Sequence, residues 1–193
     1  MRLFLAVGLP SEVARALDAP LAGLPRLGWR IVGAEQRHVT LRFLGEQGEQ
    51  GLRAAVAAAA CVAAATAAFE FELTGLGAFP GPARPRVLWA GCGAGSAALG
   101  RLAGELQARL GEAGLPPAEG PFRAHVTLAR RREAYAEGAA AADLARLAPA
   151  AGLWGRAAAG ALTLFRSEAG PAGPRYTPLA QLPLAPATAR EIP

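Results

Sequence analysis

His38-Val39-Thr40-Leu41 and His125-Val126-Thr127-Leu128 are one tetrapeptide written twice, and they contain both histidines of the chain. Against ordinary composition, chance repetition of the three followers has odds on the order of one in a thousand or lower. Read as strands, the copies explain themselves: residues i and i+2 share one face of a strand, and i+1 and i+3 share the other. His38 and Thr40 then lie side by side on one face, as do His125 and Thr127. Val39, Leu41, Val126 and Leu128 point into a core. Histidine exchanges protons near neutral pH more readily than any other side chain, so the repeat predicts a cleft lined by two imidazoles and two hydroxyls.

The flanks extend both strands. Arg37 to Leu44 and Phe122 to Ala129 alternate polar with apolar residues between glycines or charges. Upstream, Arg2 to Leu9 predicts a buried strand, and Ser11 is placed to cap a helix reaching about Ala19, with Val13, Ala16 and Leu17 on its face. Trp29 to Val32 reads as a short strand, and Gly45 and Gly48 close the strand holding His38. Leu52, Val56, Ala59 and Ala63 recur at helical spacing. Phe69 to Leu73 and Arg86 to Ala90 read as strands. Ser96 is placed as a second helix cap, followed by Leu99, Leu102, Ala103, Leu106 and Leu110 on one face, with Gly111 and Gly114 at the end. Residues 131–152 read as loop plus a helix over Ala140 to Leu147. Ala161 to Arg166 and Arg175 to Leu182 are final strands joined by a turn over residues 170–174. Several strands follow one another through turns alone, which predicts mixed α+β with largely antiparallel sheets.

The bulk numbers set bounds. A chain of 193 residues is long enough for one domain or two small lobes. The apolar stretch Ala54 to Phe69 is too short and alanine-rich to span a bilayer, and Pro10 and Glu12 interrupt any leader-like start, so no membrane association is expected. Two distant cysteines, Cys61 and Cys92, fit a reducing cytosol. The net charge is +5, carried by arginine without a single lysine. That balance permits a phosphate-rich partner but also follows from a GC-rich coding bias. A zinc site from His38, His125, Cys61 and Cys92 would need spacing unlike structural zinc motifs, so no metal or cofactor is expected.

These residues resemble the two-histidine (2H) phosphoesterase superfamily, whose signature is a pair of His-x-Thr-x motifs. The resemblance is greatest to the bacterial RNA 2′,3′-cyclic phosphodiesterase family, also described as 2′-5′ RNA ligases. It covers Arg2 to Val7, His38 to Gly45, Pro85 to Gly91, Pro121 to Arg130 and Arg175 to Leu179. One departure is Ala124, where relatives often carry proline. The resemblance implies two similar lobes related by a pseudo-twofold axis around a central cleft, forming a single bilobal catalytic domain over residues 1–193 with one motif from each lobe. It also implies a substrate class: RNA with a 2′,3′-cyclic phosphate end, such as a tRNA fragment, met by a cytoplasmic monomer.

Opening such a ring requires a base that deprotonates water and an acid that protonates the departing ribose oxygen. The resemblance implies His38 as the proton donor to the 3′ oxygen and His125 as the acceptor from water, leaving a 2′-phosphate. The residues alone leave the two roles interchangeable. Thr40 and Thr127 would hold the non-bridging oxygens. Arg130, where many relatives have arginine, is the first candidate for phosphate binding, although its parity is wrong for a straight strand. Arg42 is the second, on parity, and Arg123 shares the face of His125. Phe43 and Trp89 are expected in the core, with base stacking as the other role. Two alternatives stay open at this level: action on 2′-5′ linked oligonucleotides or small cyclic nucleotides, and a non-catalytic RNA-binding module.

Overall fold

A computed structural model describes residues 1–148, 152–170 and 173–187. The strands are β1 (Arg2–Gly8), β2 (Trp29–Ile31), β3 (His38–Glu46), β4 (Phe69–Phe79), β5 (Val87–Cys92), β6 (His125–Arg131), β7 (Leu153–Ala159), β8 (Ala161–Glu168) and β9 (Arg175–Pro183). The helices are α1 (Ser11–Ala16), α2 (Glu49–Ala65), α3 (Ser96–Glu112) and α4 (Glu137–Leu147). The strands form one nine-stranded sheet in the order β7-β4-β5-β6-β3-β1-β8-β9, with β2 added beside β6. Every pairing between these strands is antiparallel. The α+β class is as expected.

The order is close to a palindrome about its centre. One lobe is β3-β1-β8-β9, the other β6-β5-β4-β7, and they meet where Val39 pairs with Val126. Local register repeats as well. Gly8, Val7 and Ala6 lie opposite His38, Val39 and Thr40; Gly91, Ala90 and Trp89 lie opposite His125, Val126 and Thr127. The lobes are not simply the two halves of the chain. The last strands, β8 and β9, return to the first lobe beside β1.

Burial explains the element choices. β1 is buried from Leu3 through Val7 because it is central and covered on both faces. In α3 the expected face, Leu99, Leu102, Ala103, Leu106 and Leu110, is the buried one. In α2 the buried stripe is Ala55, Ala58, Ala59, Val62 and Ala63, while Leu52 and Val56 are only half-covered. The larger side chains were the wrong guide there: alanine allows close approach, and the helix turns its small residues inward.

Other boundaries differ for local reasons. Ser11 and Ser96 are the first helical residues rather than caps; Pro10 and Gly95 precede them, and neither helix has a side-chain cap. Gly95 has φ +82°, and a Cβ there would strike the Glu70 carbonyl. Helix α1 stops at Ala16, and Ala19–Leu21 forms a separate 3-10 turn around Pro20. Helix α3 runs through Gly111, and Gly114 takes the left-handed conformation beyond it. Helix α4 begins at Glu137, three residues before the expected start. Strand β7 was missed because its alanines and Gly155 show no alternation; pairing with β4 creates it. Residues 149–151 and 171–172, within the expected loop and turn, lie outside the described residues.

The inward alanine stripe has a measurable consequence. Ala59→Leu should cost about 1–3 kcal/mol by overpacking, whereas Ala57→Leu, on the exposed side of α2, should stay within about 0.5 kcal/mol. Urea denaturation of the two variants checks the orientation of the helix.

Candidate active site

Both histidines lie on the sheet face opposite Val39 and Val126, which are fully buried. Counting outward from the Val39–Val126 pair, the antiparallel register sets His38 across from Thr127 and Thr40 across from His125. The sheet thus brings four motif side chains to one place, each histidine beside the other copy's threonine. Among the described residues, neither threonine hydroxyl has a hydrogen bond to give up before binding a ligand.

One device orients both rings. Nδ1 of His38 lies 2.7 Å from the Gln36 carbonyl, and Nδ1 of His125 lies 2.8 Å from the Arg123 carbonyl. A carbonyl only accepts, so each Nδ1 carries the proton and donates it. The Nε2 atom is then left free to accept a proton when the ring is neutral, or to donate one when it is charged.

The surroundings of the two rings differ. His38 stacks on Phe4 at 5.0 Å and meets Tyr176 edge-on at 5.3 Å, with Phe165 5.9 Å away. His125 meets Phe79 edge-on at 5.0 Å and Trp89 at 6.1 Å. Burial pushes the His38 imidazole down to about 4, opposed by its carbonyl hydrogen bond and reinforced by the charges of His125 and Arg130. His125 is lowered as well, first by burial, then by Arg123 and Arg130, again against its carbonyl bond. In the free protein at neutral pH both rings are therefore neutral. A phosphate anion beside the rings would counter the positive charges of the neighbouring arginines and favour the protonated imidazoles, while leaving their burial in place.

A pair of β-bulges decides which arginine faces the cleft. Opposite β1, Thr40 pairs with Ala6 but Arg42 pairs with Leu5, so Leu41 is the extra residue. Opposite β5, Thr127 pairs with Trp89 but Ala129 pairs with Leu88, so Leu128 is the extra residue. The parity of each strand flips one position after its motif. Arg42 therefore shares the buried face of Leu5, 5% exposed, and donates to the carbonyl of Pro116 just beyond α3. This corrects the parity reading, which put Arg42 beside His38. The flip also returns Arg130 to the cleft side, where its charge acts on both histidines.

Phe43 takes the place in the first lobe that Arg130 takes in the second, since Arg42 and Ala129 are the first paired residues after the two bulges. Phe43 is 68% exposed, which corrects the core placement. Trp89 is half-buried, with the Arg123 guanidinium 4.8 Å above its ring. Sequence reasoning missed Phe4, Phe165, Tyr176 and Phe79 as neighbours of the histidines, because strand pairing across long separations brings them there. Cys61 is exposed on α2 and Cys92 is half-buried in β5. Among the described residues no group of three or more His, Cys, Asp or Glu side chains is arranged to hold a metal ion.

Two histidines on paired central strands, each beside a threonine, mark the cleft of this α+β protein. The family model described as the 2′-5′ RNA ligase superfamily matches residues 12–170. The RNA 2′,3′-cyclic phosphodiesterase of Thermus thermophilus is 38% identical over 192 residues, covering 95% of this chain and 90% of the relative. Its Escherichia coli namesake is 28% identical over 92% of this chain and 93% of its own. Among solved structures, TT0787 of Thermus thermophilus superposes with a TM-score of 0.79 at 36% identity, covering 96% of this chain and 99% of its own. Escherichia coli LigT complexed with 3′-AMP superposes with a TM-score of 0.74 at 28% identity, covering 95% of this chain and 97% of its own. The chain belongs to the 2′-5′ RNA ligase superfamily. Among its described residues no helix is long and apolar enough to cross a membrane.

The depressed His38 predicts how stability responds to acid. The unfolded chain takes up a proton near 6.5 and the folded chain only near 4. Stability is thus fully present above pH 6.5 and is lost as pH falls toward 4. His38→Gln removes this titration, so Tm measured from pH 7 to pH 4 should fall less steeply in that variant than in the wild type.

Proposed function

We propose that the protein is a metal-independent RNA 2′,3′-cyclic phosphodiesterase, hydrolysing cyclic ends to 2′-phosphomonoesters by paired histidine acid–base chemistry. The observation that carries the proposal is the matched Nδ1-to-carbonyl bond in both motifs, which frees two Nε2 atoms toward one cleft. Attack on phosphorus and expulsion of the 3′ oxygen need one nitrogen without a proton and one with it. His125 takes the proton from the attacking water, and His38 delivers one to the departing 3′ oxygen. The anionic phosphate raises the imidazole that must be charged. Thr40 and Thr127 donate hydrogen bonds to the non-bridging oxygens, and Arg130 supplies fixed positive charge where the transition state is most negative. Arg42 has no direct part.

Phe43 offers the terminal base a stacking face at the rim of the first lobe. The whole chain works as one bilobal unit, since each lobe supplies one histidine and one threonine. The supporting relatives carry the same activity in their names over nearly their full length. We place the protein in the cytoplasm as a monomer acting on RNA fragments, tRNA fragments among them.

Incubation with an RNA ending in a 2′,3′-cyclic phosphate, with EDTA present, should leave a 2′-phosphate end. Intact cyclic ends or a purely 3′-phosphate product would overturn the proposal. RNA retained without turnover would indicate a binding module, and turnover confined to 2′-5′ linked dinucleotides would reassign the substrate. Because both imidazoles are lowered in the free cleft, the bell-shaped pH profile of kcat/KM should peak below 6.5, and that of kcat should peak at higher pH.

The two roles separate on a phosphodiester with an aryl leaving group, which departs without an acid. There His125→Ala should cost on the order of 10²–10⁴-fold, while His38→Ala should cost far less than it does on the cyclic RNA. The opposite ranking exchanges the roles.

A further inference from the structure

We propose that Arg30 binds the phosphodiester one nucleotide upstream of the reacting cyclic phosphate, so that the cleft favours RNA oligomers over mononucleotides. The proposal rests on the phosphodiesterase reading given above. Strand β2 pairs with β6 only through Trp29, Arg30 and Ile31, and Arg30 stands directly opposite Arg130. Directly opposite residues of an antiparallel pair share a face, with Cβ atoms about 5 Å apart. Arg30 is therefore on the cleft side with Arg130, while Trp29 on the other side donates to the buried Asp143 of α4 at 2.9 Å. That bond anchors the strand and leaves its arginine facing the cleft.

Like charges placed directly opposite destabilise a sheet. Here the repulsion is left uncompensated: among the described residues neither Arg30 nor Arg130 has an ion-pair partner. Arg30 is also confined. Its guanidinium lies against Gly173, between β8 and β9, where any Cβ would collide with it. The side chain thus reaches from the second lobe's edge to the connection that precedes Tyr176, a neighbour of His38. Next to it, Gln36 Nε2 donates to the carbonyl of Pro174 at 3.1 Å, closing the same end of the cleft.

Two arginines on one face, without carboxylate partners among the described residues, are satisfied together by a polyanion with adjacent charges. The cyclic phosphate occupies the position between the histidines, within the field of Arg130. RNA's only neighbouring charge is the phosphodiester on the 5′ side of the terminal nucleotide; Arg30 meets it from the β2 side, opposite Arg130, while Arg123 stands over Trp89 beside His125. A mononucleotide 2′,3′-cyclic phosphate has no such group.

The test compares a trinucleotide ending in a 2′,3′-cyclic phosphate with the corresponding cyclic mononucleotide, in wild type, Arg30→Gln and Arg30→Lys. Arg53→Gln on the exposed side of α2 is the control. In Arg30→Gln, kcat/KM for the trinucleotide should fall about tenfold more than for the mononucleotide, mostly through KM. The salt dependence of trinucleotide turnover should weaken by about 0.7 in log–log slope. Arg30→Lys should recover part of the loss, and Arg53→Gln should change neither substrate. Equal losses on both substrates with a lowered Tm would mean that Arg30 only holds the lobes together, and no loss would mean that it binds nothing; either overturns the proposal. Absence of wild-type turnover on both substrates would instead overturn the phosphodiesterase reading, which makes the two failures distinguishable.

Discussion

The two histidine strands touch at a single register point, where Val39 lies beside Val126 at the centre of a nine-stranded sheet. The geometry of the cleft depends on that contact. Both valines are fully buried, so the faces that carry histidine and threonine must turn the other way. A one-residue slip would send every motif side chain to the wrong face. Burial on the helix side specifies the register, and the register places each imidazole across from the hydroxyl of the other copy.

Beyond this contact the lobes repeat one local plan, with departures that make the two sides of the cleft unequal. In each lobe a glycine lies opposite the histidine, a carbonyl two residues upstream accepts a hydrogen bond from Nδ1, and a bulge follows the threonine. The departures come at matching positions. Where one lobe has Ala129 and Arg130, the other has Arg42 and Phe43. The first lobe's arginine is thereby buried beside Pro116, and its exposed ring replaces a charge. The aromatic surroundings diverge as well, and burial lowers His38 to about 4.

Much of this was legible in the chain. The duplicated motif, the α+β class and the leucine face of α3 all follow from patterns within a few residues. Other features were not legible because their causes are distant. The parity of Arg42 and Arg130 depends on which residue is extra in a pairing with β1 or β5. The stripe of α2 depends on how closely alanine lets it approach its neighbours, which local periodicity does not encode. Strand β7 exists because β4 offers it an edge, and Arg30 lies opposite Arg130 only because β2 docks beside β6.

By itself, then, the sequence determined the groups of the motif: two imidazoles, two hydroxyls and the alternation that puts each pair on one face of a strand. Those properties belong to residues one or two positions apart, where backbone geometry alone decides. Tertiary structure decided which nitrogen of each ring is free, which arginine faces the cleft and which is buried, and that both imidazoles are lowered. These depend on carbonyls, bulges and aromatic rings supplied by strands far apart in the chain, and long-range pairing is what brings them to the cleft.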